Sequence, residues 1–191
     1  GHLISLTDGA GHSESYAYDA AGNLTSHTDA LNHTTTYAYD AANRLVEQTD
    51  PLGHTSSYAY DANGNLVSMT DANGHTTQYS YNANNQVTDI RFANNAIRHY
   101  GYNVWGQIAS YTNEAGETLL YAYDVNGNLT RKSCSGQMEV IYTRDALGRI
   151  TSASRGTNTV SYAYDALGRI TSESNGSAST TYLYDRRNRT R

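Results

Sequence analysis

Large side chains recur along this chain in pairs two residues apart. Tyr58 and Tyr60 flank Ala59. In an extended strand, residues two apart share a face and the one between them faces the other way. Asp61-Ala62-Asn63-Gly64 follows. An Asp at the first corner can bond back to the backbone, and a Gly at the last tolerates positive φ, which is the chemistry of a type I turn closed by a left-handed residue. Leu66 then opens a return strand. The pattern predicts a β-hairpin with a loop of about three to four residues and a bulge.

The rest of the chain copies this unit. Tyr16 and Tyr18, Tyr37 and Tyr39, Tyr121 and Tyr123, and Tyr162 and Tyr164 repeat the tyrosine pair, followed at once by Asp19, Asp40, Asp124 and Asp165. The Asp position, Asp or Asn throughout, recurs at 19, 40, 61, 82, 103, 124, 145, 165 and 185, in six steps of 21 residues and two of 20. A fixed period of this size marks a repeat architecture. The closing position holds only Gly or Asn: Gly22, Asn43, Gly64, Asn85, Gly106, Gly127, Gly148, Gly168 and Asn188. Those two residues enter the left-handed region most cheaply. The Tyr, Asp and Gly positions are therefore expected to carry the structure of the repeat.

A second turn separates the units, as in Thr28-Asp29-Ala30-Leu31-Asn32-His33 and Thr49-Asp50-Pro51-Leu52-Gly53-His54. It shortens by one residue around Gly156 and Gly176, whereas the first turn keeps its length and so should set the register. The expected fold is all-β: one array of nine antiparallel hairpin repeats over residues 1–191, with both ends falling in mid-repeat as in a fragment of a longer protein. Roughly 18 strands at about 4.8 Å make a ribbon too wide to stay flat, so a curved or spiralling single-layer sheet is expected. Exposed strand edges at the two ends would favour self-association.

Composition agrees with a sheet lacking a greasy interior. Of the 18 tyrosines, 17 occupy the paired positions, beside one Phe, one Trp and two Met. The net charge of −5 argues against nucleic acid as a partner. No apolar run reaches transmembrane length, so no membrane insertion by this segment is expected. The single cysteine, Cys134, rules out an internal disulfide and is expected to lie exposed in a Ser133-Cys134-Ser135-Gly136 turn. Arg186, Arg187, Arg189 and Arg191 concentrate positive charge at the C-terminus.

Three ladders invite chemistry. The tyrosines could form a carbohydrate platform, against the plainer expectation that they stack between hairpins. His12, His33, His54 and His75 are in register and suggest a metal. Equivalent positions lie two strands, about 9.6 Å, apart, too far for one ion to reach two of them. The Asp ladder could suggest calcium, yet each Asp sits at a turn corner where its own backbone satisfies it, and Asn82 and Asn103 fill the position without charge. No catalytic set, phosphate loop, cofactor site or metal site is expected.

The motif Tyr-Ala-Tyr-Asp-Ala-x-Gly-Asn-Leu-Thr, followed by Thr-Asp-x-x-Gly-His-Thr-Thr, resembles the YD repeat, also called the Rhs repeat. The family includes bacterial Rhs polymorphic toxins, shell components of insecticidal toxin complexes, wall-associated proteins and teneurins. The resemblance implies a β-sheet that spirals into a hollow shell, which in bacterial members encloses a C-terminal toxic domain. It implies a secreted, non-enzymatic shell segment whose partners are the rest of the shell and an enclosed toxin or partner domain. The family's plug segment with its self-cleaving aspartyl site, and a toxin domain, are absent from these residues. An extracellular module binding glycans or a cell surface through Tyr and Asn faces is the alternative.

Overall fold

A computed structural model describes residues 1–185. The ninth turn, with Asn188, and the four C-terminal arginines lie outside the described residues. By compactness the chain divides into two units, Gly1–Ile97 and Arg98–Arg191, and each is taken by itself.

In the first unit the strands are β1 (Ser5–Thr7), β2 (Ser13–Tyr18), β3 (Leu24–Thr28), β4 (Thr34–Tyr39), β5 (Leu45–Thr49), β6 (Thr55–Tyr60), β7 (Leu66–Thr70), β8 (Thr76–Tyr81) and β9 (Val87–Arg91). Each pairs antiparallel with the next. The second unit repeats the plan with β10 (Ile97–Tyr102), β11 (Ile108–Thr112), β12 (Thr118–Tyr123), β13 (Leu129–Cys134), β14 (Val140–Arg144), β15 (Ile150–Arg155), β16 (Asn158–Tyr164), β17 (Ile170–Ser174) and β18 (Ser179–Thr181). These also pair in sequence order. The predicted all-β array of tandem hairpins is what forms.

The predicted bulge is present beside every first turn among the described residues. Tyr18 pairs with Leu24 but Ala17 with Ser26, leaving residue 25 extra. The same shift recurs in the other first-turn hairpins. Second-turn hairpins keep an even register, as in Ser26–Thr36, His27–Thr35 and Thr28–Thr34. The bulge follows from the turn. Gly64 has φ of 89° and Asn43 of 60°, and the left-handed residue that closes a type I loop adds one position to the returning strand.

The two faces differ. In β2, β4 and β6 the tyrosines are half-buried and the alanines between them exposed. Opposite the second Tyr stands the Leu that opens the next strand, as in Tyr60–Leu66. The other face carries hydroxyl pairs: Thr28 with Thr34 at 2.8 Å, Thr49 with Thr55 at 3.1 Å and Thr112 with Thr118 at 2.8 Å. Among the described residues none is buried, apolar or polar. Stability therefore rests on half-covered rings and a dense hydrogen-bond net rather than on a core.

Two irregularities lie in the second unit. Arg155 pairs directly with Asn158, so the shortened second turn there is a two-residue corner at Gly156. Cys134 departs from expectation. It ends β13 opposite Leu119 and is half-buried, and the turn runs from Cys134 to Gln137 instead. The ladder continues further than the local Ser and Gly content suggests because Leu119 provides a partner across the strand.

Candidate functional site

The most repeated local geometry is a clamp at each corner. In the first turn at Asp61, the Gly64 N–H donates to the Asp61 carbonyl at 3.1 Å, and the Asp61 N–H to the Asn65 carbonyl at 2.9 Å. One carboxylate oxygen accepts the N–H groups of Asn63 and Asn65 at 2.9 and 2.8 Å, and the other accepts the Asn65 side chain at 2.9 Å. Asp19 and Asp124 do the same with Asn23 and Asn128. In the turns at Asp40, Asp145 and Asp165 the fourth residue on is an Arg, each donating its Nε at 2.7 Å. Where the corner is Asn82 or Asn103 the partner is Gln86 or Gln107, and the side-chain donor now belongs to the corner. The expectation that the Asp ladder is backbone-satisfied covers half of this arrangement. The paired residue four positions on was readable too, since Asp goes with Asn, Arg or His and Asn with Gln or Glu.

These bonds set the electrostatics. The Asn65 amide beside Asp61, helped by the Asn65 N–H, holds its carboxyl below the ordinary aspartate value. Asp19 is lowered by the Asn23 side chain and Asp145 by the Arg149 guanidinium. For Asp165 the largest cause is the Arg169 N–H. Charge favoured in this way is suited to holding corners.

The clamps also link one hairpin to the next. Asn23 donates to the Asn43 side chain and Asn65 to the Asn85 side chain, both at 2.8 Å, while Arg44 reaches the Asp61 carbonyl at 3.2 Å. In the second unit Gln107 donates to the Gly127 carbonyl at 2.8 Å and Arg149 to the Asp165 carbonyl at 3.2 Å.

The second tyrosine of most pairs is a strut between hairpins. The hydroxyls of Tyr18, Tyr60 and Tyr81 donate to the carbonyls of Leu3, Leu45 and Leu66 at 3.0, 2.9 and 2.8 Å. Tyr123 and Tyr164 reach Ile108 and Ile150 at 2.8 and 2.7 Å. Arg144, which replaces a tyrosine, directs its guanidinium to the equivalent Leu129 carbonyl at 3.4 Å. Guanidinium groups cover ring faces, Arg44 on Tyr60 at 4.6 Å and Arg149 on Tyr164 at 4.7 Å from the centroid. Among the first tyrosines, Tyr16 stacks on His27 at 4.8 Å and donates to Glu14 at 2.6 Å. These contacts occupy ring faces and hydroxyls that a sugar platform would use. Tyr37, Tyr39, Tyr58, Tyr121 and Tyr162 lie at their predicted strand positions on the same half-buried face.

The in-register histidines fall on second turns and pair with the Asp four residues earlier. The Nδ1 of His12, His33, His54 and His75 meets Asp8, Asp29, Asp50 and Asp71 at 2.9, 3.0, 2.9 and 3.2 Å. Among the described residues, no three His, Cys, Asp or Glu side chains converge to hold a metal ion.

Comparison with known proteins agrees with this geometry. The model of the teneurin YD-shell family matches residues 51–191, and the RHS repeat model matches 1–34 and 18–55. No curated protein sequence matches the chain. Among solved structures, TcdB2-TccC3 superposes with a TM-score of 0.70 at 19% identity, covering 93% of this chain and 12% of that one. TcdB2-TccC3-Cdc42 gives 0.67 at 19% identity, covering 100% and 12%. TcdB2-TccC3 without its hypervariable C-terminal region gives 0.66 at 19% identity, covering 98% and 12%. The chain thus spans a small part of the length of each.

Proposed function

The chain belongs to the YD-repeat, or Rhs-repeat, family, and from that premise we propose that it is a length of shell wall in a secreted bacterial protein. Its role is to enclose or present a C-terminal toxin or partner domain, and it performs no chemistry itself. The observation that carries this reading is a long regular ladder with no buried residue among those described. Such a sheet has two accessible faces and is suited to building a partition. The polar clamps are spent on corners and on neighbouring hairpins rather than converging on a pocket. The likeness to TcdB2-TccC3, one structure of which lacks a hypervariable C-terminal region, supports the fold on which the reading rests. All nine repeats over 1–191, with their Tyr, Asp and Gly positions, act in this reading as one structural array.

The test is protease protection in the parent protein. With the repeat region intact, the domain that follows it should resist digestion under native conditions. It should become sensitive when corners such as Gly64 and Gly127 are replaced by Val. A following domain cleaved as fast beside the intact repeats as in isolation would overturn the reading.

A further inference from the structure

The second-turn edge of the first unit presents four equivalent imidazoles. Each is anchored at Nδ1 by its own carboxylate. Each is exposed, with 62, 57, 55 and 67% of the side chains of His12, His33, His54 and His75 accessible. With Nδ1–H donated to Asp, the tautomer is set and the lone pair sits on Nε2, which has no partner among the described residues. A carboxylate holding the far nitrogen of a histidine fixes the ring and orients its other nitrogen toward a metal. The four are spaced two strands apart, about 9.6 Å, so one ion cannot take two of them from the same chain. Each is therefore half of a site.

We infer that this edge binds zinc or a similar borderline divalent cation between two copies of the chain, each ion held by a histidine Nε2 from either copy. The row is evenly spaced, and an evenly spaced row is self-complementary about a two-fold axis. An axis midway between His33 and His54 sets His33 of one copy against His54 of the other, and the reverse, so two ions bind at once. The first bridge makes the second intramolecular, which is how weak two-histidine sites add to a useful affinity. Tetrahedral zinc completes its shell with water. The turns between the histidines favour close approach: Leu31 and Leu52 project from them, 72 and 81% exposed, and Asp29 and Asp50 are already bonded to the backbone. The inference is independent of the shell reading.

Sedimentation velocity of the chain in excess ZnCl2, and after EDTA, tests it. Zinc should raise the mass by a factor of two over the zinc-free value, EDTA should reverse the change, and elemental analysis should find two or more ions per pair. His33→Gln/His54→Gln should abolish the zinc-dependent increment while circular dichroism stays that of the parent. Asp29→Asn/Asp50→Asn should weaken it without removing a ligand. Zinc leaving the mass unchanged overturns the inference, as does an increment that survives in the folded double-histidine variant.

Discussion

The hydroxyl of Tyr60 donates to the carbonyl of Leu45 at 2.9 Å, crossing from one hairpin to the one before it. Leu45 stands at the bulge, where the register slips between Ala38 and Tyr39. The strut thus uses an acceptor at a break in the regular pattern. Tyr60→Phe keeps the ring, its place under Arg44 and the strand, and removes only this bond. A half-buried hydrogen bond is worth about 0.5–1.5 kcal/mol. Denaturant unfolding should show a loss in that range, and Tyr81→Phe should match it through Leu66.

At Gly64 the cost of a side chain is conformational rather than steric. A Cβ placed there meets only Arg44 Nη1 at 3.7 Å, an ordinary contact, but φ is 89°. A left-handed residue costs roughly 1–2 kcal/mol for an L-amino acid, more when β-branched. Gly64→Val should lower the melting temperature clearly, Gly64→Asn much less, and Asn43→Gly should be neutral or stabilising. Equal melting of Gly64→Val and the parent would contradict the turn.

How far the chain was legible follows from these two cases. The corner at Gly64 was readable because its demand is local: only Gly and Asn tolerate the φ, and the alternation of the two through the repeat exposes it. The strut at Tyr60 was not. It joins residues 15 apart through a register that the bulge sets, and one sequence does not show which carbonyl the bulge releases. The second turns carry the same left-handed closure, at Gly11, Asn32, Gly53 and Gly74, and their regular spacing held that signal. Cys134 misled because Ser and Gly beside it suggest a turn, whereas Leu119 across the ladder keeps it in the strand.

Acid should loosen the corners before it affects the tyrosine face. The carboxyls of Asp19, Asp61 and Asp145 lie below the ordinary value of 3.8 because side-chain donors at Asn23, Asn65 and Arg149 bond the charged form. A folded value below the unfolded one means the contribution is complete above the unfolded value and is lost as pH falls through the folded one. Thermal stability should be flat in this respect above about pH 5 and decline below pH 4. Asp61→Asn should flatten part of that decline, as Asn82 and Asn103 fill the same corner without a charge. A profile unchanged by Asp61→Asn would remove the clamp from the acid response.

Arg149 does three things with one planar group. Its Nε and a terminal nitrogen bond Asp145 at 2.7 Å, Nη1 reaches the Asp165 carbonyl at 3.2 Å, and the plane lies over Tyr164 at 4.7 Å. An ammonium satisfies one of these at a time. Arg149→Lys should therefore cost about 1 kcal/mol despite keeping the charge. Combined with Tyr164→Leu, which removes the ring, the losses should fall short of additive, because the two side chains share one contact. Additive losses would show that the stack carries nothing.

Replacing Tyr58 and Tyr60 by Ala separates a wall from a binding surface. If the rings serve the sheet, the double variant loses half-covered aromatic area opposite Met69 and Leu66, the Arg44 stack and the Leu45 strut together. At roughly 25 cal/mol per Å2, each ring is worth about 2 kcal/mol, a large share of the margin of a sheet with no buried residue among those described. The unmodified chain should then give no signal on a glycan array, and the variant should show a lowered unfolding midpoint. A parent that captures sugars, with a variant that stays folded and loses capture, would instead make the tyrosine face a carbohydrate platform.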